Sequence, residues 1–105
     1  MYYSDLVKKA CAIMYDAHKE DVDRGGYPYV LHPFYLATQM DDEESTCAAL
    51  LHDVIEDTPV TEADIRSNFG DEILGLVSGV TKLDKIVFKS REEEEAENFR
   101  KIFVA

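Results

Sequence analysis

The sequence lacks the signatures of several large protein classes. Its 105 residues include only two cysteines, Cys11 and Cys47, which lie in apolar, helix-like stretches and form no CxxC motif. This placement is typical of free buried thiols in a reducing compartment and argues against a disulfide or a zinc knuckle. No apolar run is long enough to cross a membrane, and the N-terminus shows no signal peptide. We therefore expect a cytoplasmic protein without a membrane partner.

Basic residues are also scarce. The chain carries 11 lysines and arginines against 22 aspartates and glutamates, which gives a formal net charge of −11. Nonspecific nucleic-acid binding needs a basic surface, so the composition excludes this class of function. An acidic balance favours solubility and, where carboxylates cluster, the binding of cations.

The pattern of apolar residues is helical throughout. No segment shows sustained period-two alternation, no hairpin dipeptide separates two apolar runs, and no internal repeat is visible. Instead, Leu6, Ala10, Ile13 and Ala17 recur at helical spacing behind Ser4, an N-cap candidate. We predict a single all-α domain over residues 1–105 with about six helices. They are expected from about residue 4 to a break at 25–28, then at 33–40, 41–57, 61–70 and 71–80, and from 90 onward.

The last residues of the chain form an unfinished apolar stripe. Ala96, Phe99, Ile102 and Phe103 share one helical face, and no helix-ending residue follows them before Ala105. An exposed stripe of this kind usually meets a partner. We therefore expect either that further helices are missing from this end or that the stripe pairs with another copy of the chain.

The third predicted helix carries the residues best suited to bind a metal ion or to act in catalysis. At roughly 100° per residue, His52, Asp53, Glu56 and Asp57 fall on one face, which the small Ala49 shares. Carboxylates this close repel each other, and a divalent cation would offset the repulsion. This pattern predicts that His52 and Asp53 bind a metal ion. Glu56 and Asp57 would then hold or deprotonate a metal-bound water.

His32 is a second candidate ligand, because Pro33 directly after it fixes the local backbone. A mixed imidazole and carboxylate set suits Mn, Fe, Co or Zn better than Mg or Ca. Each feature has a plainer explanation: His32 as a capping or core histidine, and the acidic face as solvated surface. The combination favours a metal site. We interpret His18 as structural or exposed, and place four aromatic residues in the core and pocket wall: Tyr27, Tyr29, Phe34 and Tyr35.

Several strings resemble the HD hydrolase domain of Rel/SpoT-type alarmone enzymes. They are residues 26–33 (GYPYVLHP), 48–58 (AALLHDVIEDT), 69–70, 76–83 and 96–101, in the family's order. The resemblance implies an all-helical HD fold and a Mn²⁺ ion held partly by His32, His52 and Asp53. It implies that Glu56 and Asp57 position the attacking water. The implied reaction is hydrolysis of the 3′-pyrophosphate of (p)ppGpp to GDP or GTP plus pyrophosphate.

The chain departs from the family pattern in two places. A basic pair and a serine normally hold the guanine base, and Asp23, Arg24 and Gly25 stand there instead, which leaves Arg24 to stack on the base. The family's fourth metal ligand is an aspartate in a later K-L-A-D-R segment, beyond Ala105. We therefore expect three protein ligands in this chain. The alternatives are a non-catalytic HD module that folds or oligomerises without turnover, and another HD-type nucleotide phosphohydrolase.

Overall fold

The computed structural model of the protein describes residues 1–86. Within this range the regular structure is helical, apart from one isolated antiparallel bridge between Val22 and Pro28. The elements are α1 (Asp5–His18), α2 (Leu31–Thr38), α3 (Glu43–Leu51), α4 (Val54–Asp57), α5 (Glu62–Phe69) and α6, which is helical over residues 71–86. The predicted all-α fold class is confirmed. The helix predicted from residue 90 and the apolar stripe after it lie outside the described residues.

Side-chain caps mark three of the helix starts. The Ser4 hydroxyl accepts the backbone N–H of Val7 at the start of α1, and the Asp42 carboxylate accepts that of Ser45 at the start of α3. Before α5, Thr61 and Asp64 each accept the other's backbone N–H, which forms the predicted capping box. These caps satisfy backbone groups that a helix N-terminus leaves unpaired. After α5 the chain turns at Gly70, whose φ of 92° suits a residue without Cβ.

Helix α3 is the centre of the domain. Six consecutive residues of this helix are buried, as expected for a helix covered on all sides: Thr46, Cys47, Ala48, Ala49, Leu50 and Leu51. It packs against both α1 and α2. The small side chains of Ala48 and Ala49 allow this close approach, while Leu50 and Leu51 fill the core.

The buried face of α1 differs slightly from the predicted one. Val7, Ala10, Met14 and His18 are buried, whereas Leu6, Ile13 and Ala17 pack only partly against the core: the stripe is rotated by one residue. His18 is therefore buried, with its Nδ1 atom 3.3 Å from Oδ2 of Asp21. Both cysteines are free, Cys47 buried and Cys11 half-buried. Burial raises the pKa of the Cys47 thiol to about 11, which keeps it protonated.

The predicted helix over residues 41–57 is wrong in one respect that matters for the site. The chain leaves the helix at His52 and Asp53 and re-enters it at Val54, so that α3 and α4 are separate. The backbone of Asp53 has φ −104° and ψ −2°, at the edge of the helical region. The four residues that a helical wheel places on one face therefore lie on a turn and on the short helix after it.

Two other helices differ in their ends. Helix α2 begins at Leu31, two residues earlier than predicted, so that His32 lies inside its first turn with Pro33. Proline is tolerated there because the first backbone N–H groups of a helix have no intrahelical partner. Helix α6 continues past the predicted end at Val80 through residue 86. Within residues 1–86 we find no helix with the length and apolar character needed to span a membrane.

Candidate metal centre

Four potential ligand side chains meet where α2, the turn after α3, and α6 come together. One nitrogen or oxygen atom from each of His32, His52, Asp53 and Asp84 lies within 4.8 Å of all the others. We call these four residues the ligand cluster. His52 and Asp53 are buried, and His32 and Asp84 are half-buried, so the cluster lies at the edge of the core. The structure thus brings together all three ligands predicted from sequence and adds Asp84.

The distances within the ligand cluster suit a metal ion. Nε2 of His52 lies 3.0 Å from Oδ2 of Asp53 and 3.2 Å from Oδ2 of Asp84. The same Oδ2 atom of Asp84 lies 3.2 Å from Nε2 of His32. Two ligands at right angles around an ion, each at about 2.1 Å, lie about 3.0 Å apart. The spacing of the donor atoms therefore matches adjacent ligands of one divalent cation.

The hydrogen bond on the other side of His52 determines which ring nitrogen is free to bind. Nδ1 of His52 lies 2.7 Å from the backbone oxygen of Ala49, which can only accept, so Nδ1 carries the hydrogen. In the neutral ring the lone pair is then on Nε2, and it faces the carboxylates of Asp53 and Asp84. A lone pair and two carboxylates repel each other unless a proton or a metal ion lies among them. Histidines that bind metals commonly donate their other N–H to a backbone carbonyl in this way.

Charge and burial act against each other in this cluster. Burial disfavours the protonated form of His52, but hydrogen bonds to Asp53 and Ala49 and nearby negative charge outweigh it and raise the pKa of the imidazole. Burial likewise disfavours ionised Asp53, yet hydrogen bonds from His52 and Tyr29 hold the pKa of its carboxyl below the ordinary value. Asp53 is therefore ionised at neutral pH, as a metal ligand must be.

Tyr29, in the turn that precedes α2, contacts the ligand cluster. Its hydroxyl donates a hydrogen bond to Oδ2 of Asp53. Its ring lies between the imidazoles of His18 and His32, with centroid distances of 5.0 and 5.8 Å. Burial, followed by the bond to Asp53, raises the pKa of the Tyr29 phenol and keeps it a donor. Of the four aromatic residues predicted in the core and pocket wall, Tyr29 is half-buried beside the cluster, whereas Tyr27, Phe34 and Tyr35 are exposed.

Helix α6 forms hydrogen bonds with the turn that carries His52 and Asp53. The hydroxyl of Thr81 donates to the backbone oxygen of His52, where α3 ends. One turn further along α6, Asp84 contacts both imidazoles, and Lys85 Nζ lies 2.5 Å from Oε1 of Glu56. The spacing of these three α6 residues puts them on one helical face. Sequence reasoning missed them because it ended this helix at Val80, although their spacing would have indicated the face.

The two predicted catalytic carboxylates lie on α4, beyond the ligand cluster. Both are exposed, and Glu56 is paired with Lys85. Partial burial, followed by repulsion from Asp53, raises the pKa of Asp57 above the ordinary value for an aspartate. Asp57 is thus a better proton acceptor than an ordinary aspartate. The backbone N–H of Asp57 donates to the backbone oxygen of Asp53 at 3.2 Å, and among the described residues no side-chain hydrogen bond joins Glu56 or Asp57 to the ligand cluster.

The predicted base-binding residue, Arg24, lies exposed in the loop between α1 and α2. The unexpected acidic residue before it has a structural role: Oδ1 of Asp23 accepts the backbone N–H groups of Gly25 and Tyr27, each at 2.9 Å. Asp23 thereby holds the turn that leads into Tyr29 and His32. The departure from the family pattern at this position is explained by loop geometry within this chain.

The sequence matches the HD domain family over residues 10–105. It is 46% identical over 94 residues to a guanosine-3′,5′-bis(diphosphate) 3′-pyrophosphohydrolase of Haemophilus influenzae, covering 86% of this chain and 14% of that protein. It is 45% identical over 103 residues to the bifunctional (p)ppGpp synthase/hydrolase SpoT of Escherichia coli, covering 94% of this chain and 15% of that protein. The chain thus spans about 15% of the length of these relatives.

A solved structure shows the same fold. The structure of a metazoan ortholog of SpoT that hydrolyzes ppGpp superposes with a TM-score of 0.68 at 32% sequence identity. The similarity covers 77% of this chain and 50% of that one. The helical arrangement described above is therefore that of a known all-α hydrolase fold, and the residue strings that carry the ligand cluster fall inside the matched region of the family.

Proposed function

This chain belongs to the HD domain family, and on that basis we propose that it carries the metal centre of a (p)ppGpp 3′-pyrophosphohydrolase. The proposed reaction is hydrolysis of the 3′-pyrophosphate to give GDP or GTP and pyrophosphate. One observation carries the proposal: His32, His52 and Asp53 come from two separate sequence motifs, and their ligand atoms converge on one point. Relatives named for this activity support the choice of reaction.

Mn²⁺ is the ion that we propose for this centre. Imidazole and carboxylate ligands together favour Mn, Fe, Co or Zn over purely oxygen-binding ions. The donor set also balances charge, because the two carboxylates of Asp53 and Asp84 match the charge of a divalent ion. Such an ion would polarise a phosphoryl oxygen and lower the pKa of a bound water.

The remaining chemistry is assigned to α4. Asp57 has a raised carboxyl pKa, which suits a group that accepts a proton from the attacking water. Glu56 orients that water, and its own position is fixed by the ion pair with Lys85. Asp57 and Glu56 lie one turn beyond Asp53, so a water near the ligand cluster can reach this helix.

The substrate is strongly anionic, and the site has an acidic rim. Lys85, beside Glu56, brings positive charge near the ligand cluster. In this proposal Arg24 stacks on the guanine base from the loop between α1 and α2. The cytoplasmic location, and pairing of two copies through residues 96–103, stay predictions from the sequence.

The test is pyrophosphate release from ppGpp by this chain in the presence of Mn²⁺. His52→Ala and an EDTA-treated sample are expected to lose the release. Asp71→Asn is the control and should retain it, because it removes only the exposed ion pair with Arg66. Release that survives both His52→Ala and EDTA would contradict a metal-dependent reaction at this site.

A parallel assay with other nucleotides separates the alternatives. Turnover of another nucleotide but not of ppGpp would favour a different HD-type phosphohydrolase. Metal binding without any turnover would favour a non-catalytic HD module.

A further inference from the structure

We propose that Asp84 is a fourth protein ligand of the metal ion, so that residues 1–86 contain a two-histidine, two-carboxylate set of their own. The inference rests on the metal centre of the proposed function and goes beyond it. The resemblance to the Rel/SpoT family implies a fourth ligand downstream of Ala105, and nothing in that resemblance assigns a role to Asp84.

The position of the Asp84 carboxylate is the first argument. Its Oδ2 atom is 3.2 Å from Nε2 of His32 and also 3.2 Å from Nε2 of His52. It therefore bridges two imidazoles, one from α2 and one from the turn after α3. The two rings are themselves packed edge to face, with a centroid distance of 5.4 Å. An oxygen at equal distances from two ring nitrogens lies where a third ligand of the same metal ion would lie.

Hydrogen bonding alone explains this arrangement poorly. The hydrogen of neutral His52 is on Nδ1, where it bonds the Ala49 carbonyl, so Nε2 has no hydrogen to donate to Asp84. The same Nε2 atom also faces Asp53 at 3.0 Å. Two carboxylates therefore converge on one acceptor nitrogen. A divalent cation satisfies all three groups at once, whereas a single proton can bond only one carboxylate well.

The third argument is how firmly α6 holds Asp84 in place. Thr81, one turn before it, bonds the backbone of His52, and Lys85, directly after it, pairs with Glu56. Val77, one further turn back on the same helix, is buried in the core. The Asp84 side chain is itself 27% exposed, which leaves the cluster open to solvent on one side. A ligand held by its neighbours in this way is preorganised for binding.

The experiment measures Mn²⁺ binding directly, through loss of the electron paramagnetic resonance signal of the free ion during titration. Wild type is compared with Asp84→Asn, Asp84→Glu, His52→Ala and the control Asp71→Asn. Asp71 is a carboxylate of the same helix that pairs with Arg66, away from the ligand cluster. Circular dichroism and thermal unfolding establish that each variant is folded.

We expect Asp84→Asn to weaken Mn²⁺ binding by at least about 10-fold to 100-fold, the loss known for groups that merely orient a ligand. Asp84→Glu should recover part of the affinity, and Asp71→Asn should leave it unchanged. Wild-type affinity in folded Asp84→Asn, with binding lost in His52→Ala, would overturn the role of Asp84 alone. Absence of Mn²⁺ binding in wild type would overturn the metal centre itself.

A gain-of-signal variant covers the case in which Asp84→Asn does not fold. Asp84→Cys places a thiolate at the same position, and Co²⁺ bound to a thiolate gives an intense charge-transfer absorption band. Asp84→Cys should show the band with Co²⁺, while wild type and Asp71→Cys should not. A folded Asp84→Cys that binds Co²⁺ without this band would contradict the proposal.

Discussion

Two groups of aspartates in this small domain differ in where their hydrogen bonds come from. Asp42 and Asp64, at the starts of α3 and α5, accept backbone N–H groups of their own helices. Asp53 and Asp84 instead face the side chains of Tyr29, His32 and His52. The first group is satisfied locally, within a few residues of sequence. The second group depends on three separate elements of the fold.

The two groups also differ in what their hydrogen-bond partners can offer. The hydrogen bonds from Ser45 and from Thr61 lower the pKa values of Asp42 and Asp64, which need no further partner. The carboxylates of the ligand cluster are directed at an imidazole nitrogen that has no hydrogen to offer in the neutral ring. The capping aspartates are thus paired within their own helices, whereas Asp53 and Asp84 share one imidazole nitrogen, an arrangement that the proposed metal ion would satisfy.

Replacing one carboxylate of each group should give the sharpest contrast. Asp53→Asn is expected to reduce Mn²⁺ affinity by about 100-fold or more, because a charged ligand is lost rather than an orienting group. Asp64→Asn should leave Mn²⁺ affinity unchanged, because the Asp64 side chain bonds the backbone N–H of Thr61 and is not part of the ligand cluster. Isothermal titration calorimetry on both variants checks this. Equal effects of Asp53→Asn and Asp64→Asn on Mn²⁺ binding would contradict the distinction between the two groups of aspartates.

Removing the support of Asp53 should have a smaller effect. Tyr29→Phe deletes the hydroxyl that donates to Asp53 and keeps the ring between His18 and His32. We expect an affinity loss of about 10-fold, since groups of this kind orient ligands without binding the metal. Tyr35→Phe, at an exposed position on α2, is the control for loss of a tyrosine hydroxyl. An unchanged Mn²⁺ affinity in Tyr29→Phe would remove Tyr29 from the supporting role.

Breaking a cap should change stability but not metal binding. Thr61→Ala removes the hydroxyl that accepts the N–H of Asp64, at an expected cost of about 1 kcal/mol in the free energy of unfolding. For a domain of this size that corresponds to a Tm lower by about 4–8 °C. Calorimetric unfolding and Mn²⁺ titration of the same sample measure both quantities. A loss of metal affinity in Thr61→Ala would mean that α5 and the site are coupled.

The smallest expected effect is a pH dependence that comes from the caps. Since the folded pKa values of Asp42 and Asp64 are lowered, their contribution to stability is present above the ordinary aspartate pKa of 3.8. It is lost as the pH falls through the folded values. The double variant Asp42→Asn, Asp64→Asn should therefore show a flatter dependence of Tm on pH below about pH 4. An unchanged acid slope would exclude these two residues as its source.

Local sequence signals were sufficient for the caps and for three of the ligands. The capping box at Thr61 and the closing Gly70 are short-range patterns, and the structure has both. His32 could be identified because it directly precedes Pro33. His52 and Asp53 could be identified because they share an acidic face of the predicted third helix. The structure places all three together, although their role as metal ligands stays a proposal.

Long-range packing accounts for what the sequence could not predict. The sequence around the break between α3 and α4 keeps a helical pattern. In the structure, however, the backbone oxygen of His52 accepts a hydrogen bond from Thr81 of another helix. Helix α6 extends beyond the predicted end at Val80. It continues because Thr81, Asp84 and Lys85 contact residues far away in sequence. Partners of this kind become visible only when the helices are packed.

The most direct test of the metal centre is an anomalous diffraction map from crystals of this chain grown with Mn²⁺. We predict one strong peak among Nε2 of His32, Nε2 of His52 and the carboxylates of Asp53 and Asp84. A peak that touches the first three but not Asp84 would retain the metal centre and remove the fourth ligand. A map without a peak at the cluster, or with Mn²⁺ bound elsewhere, would contradict the central claim.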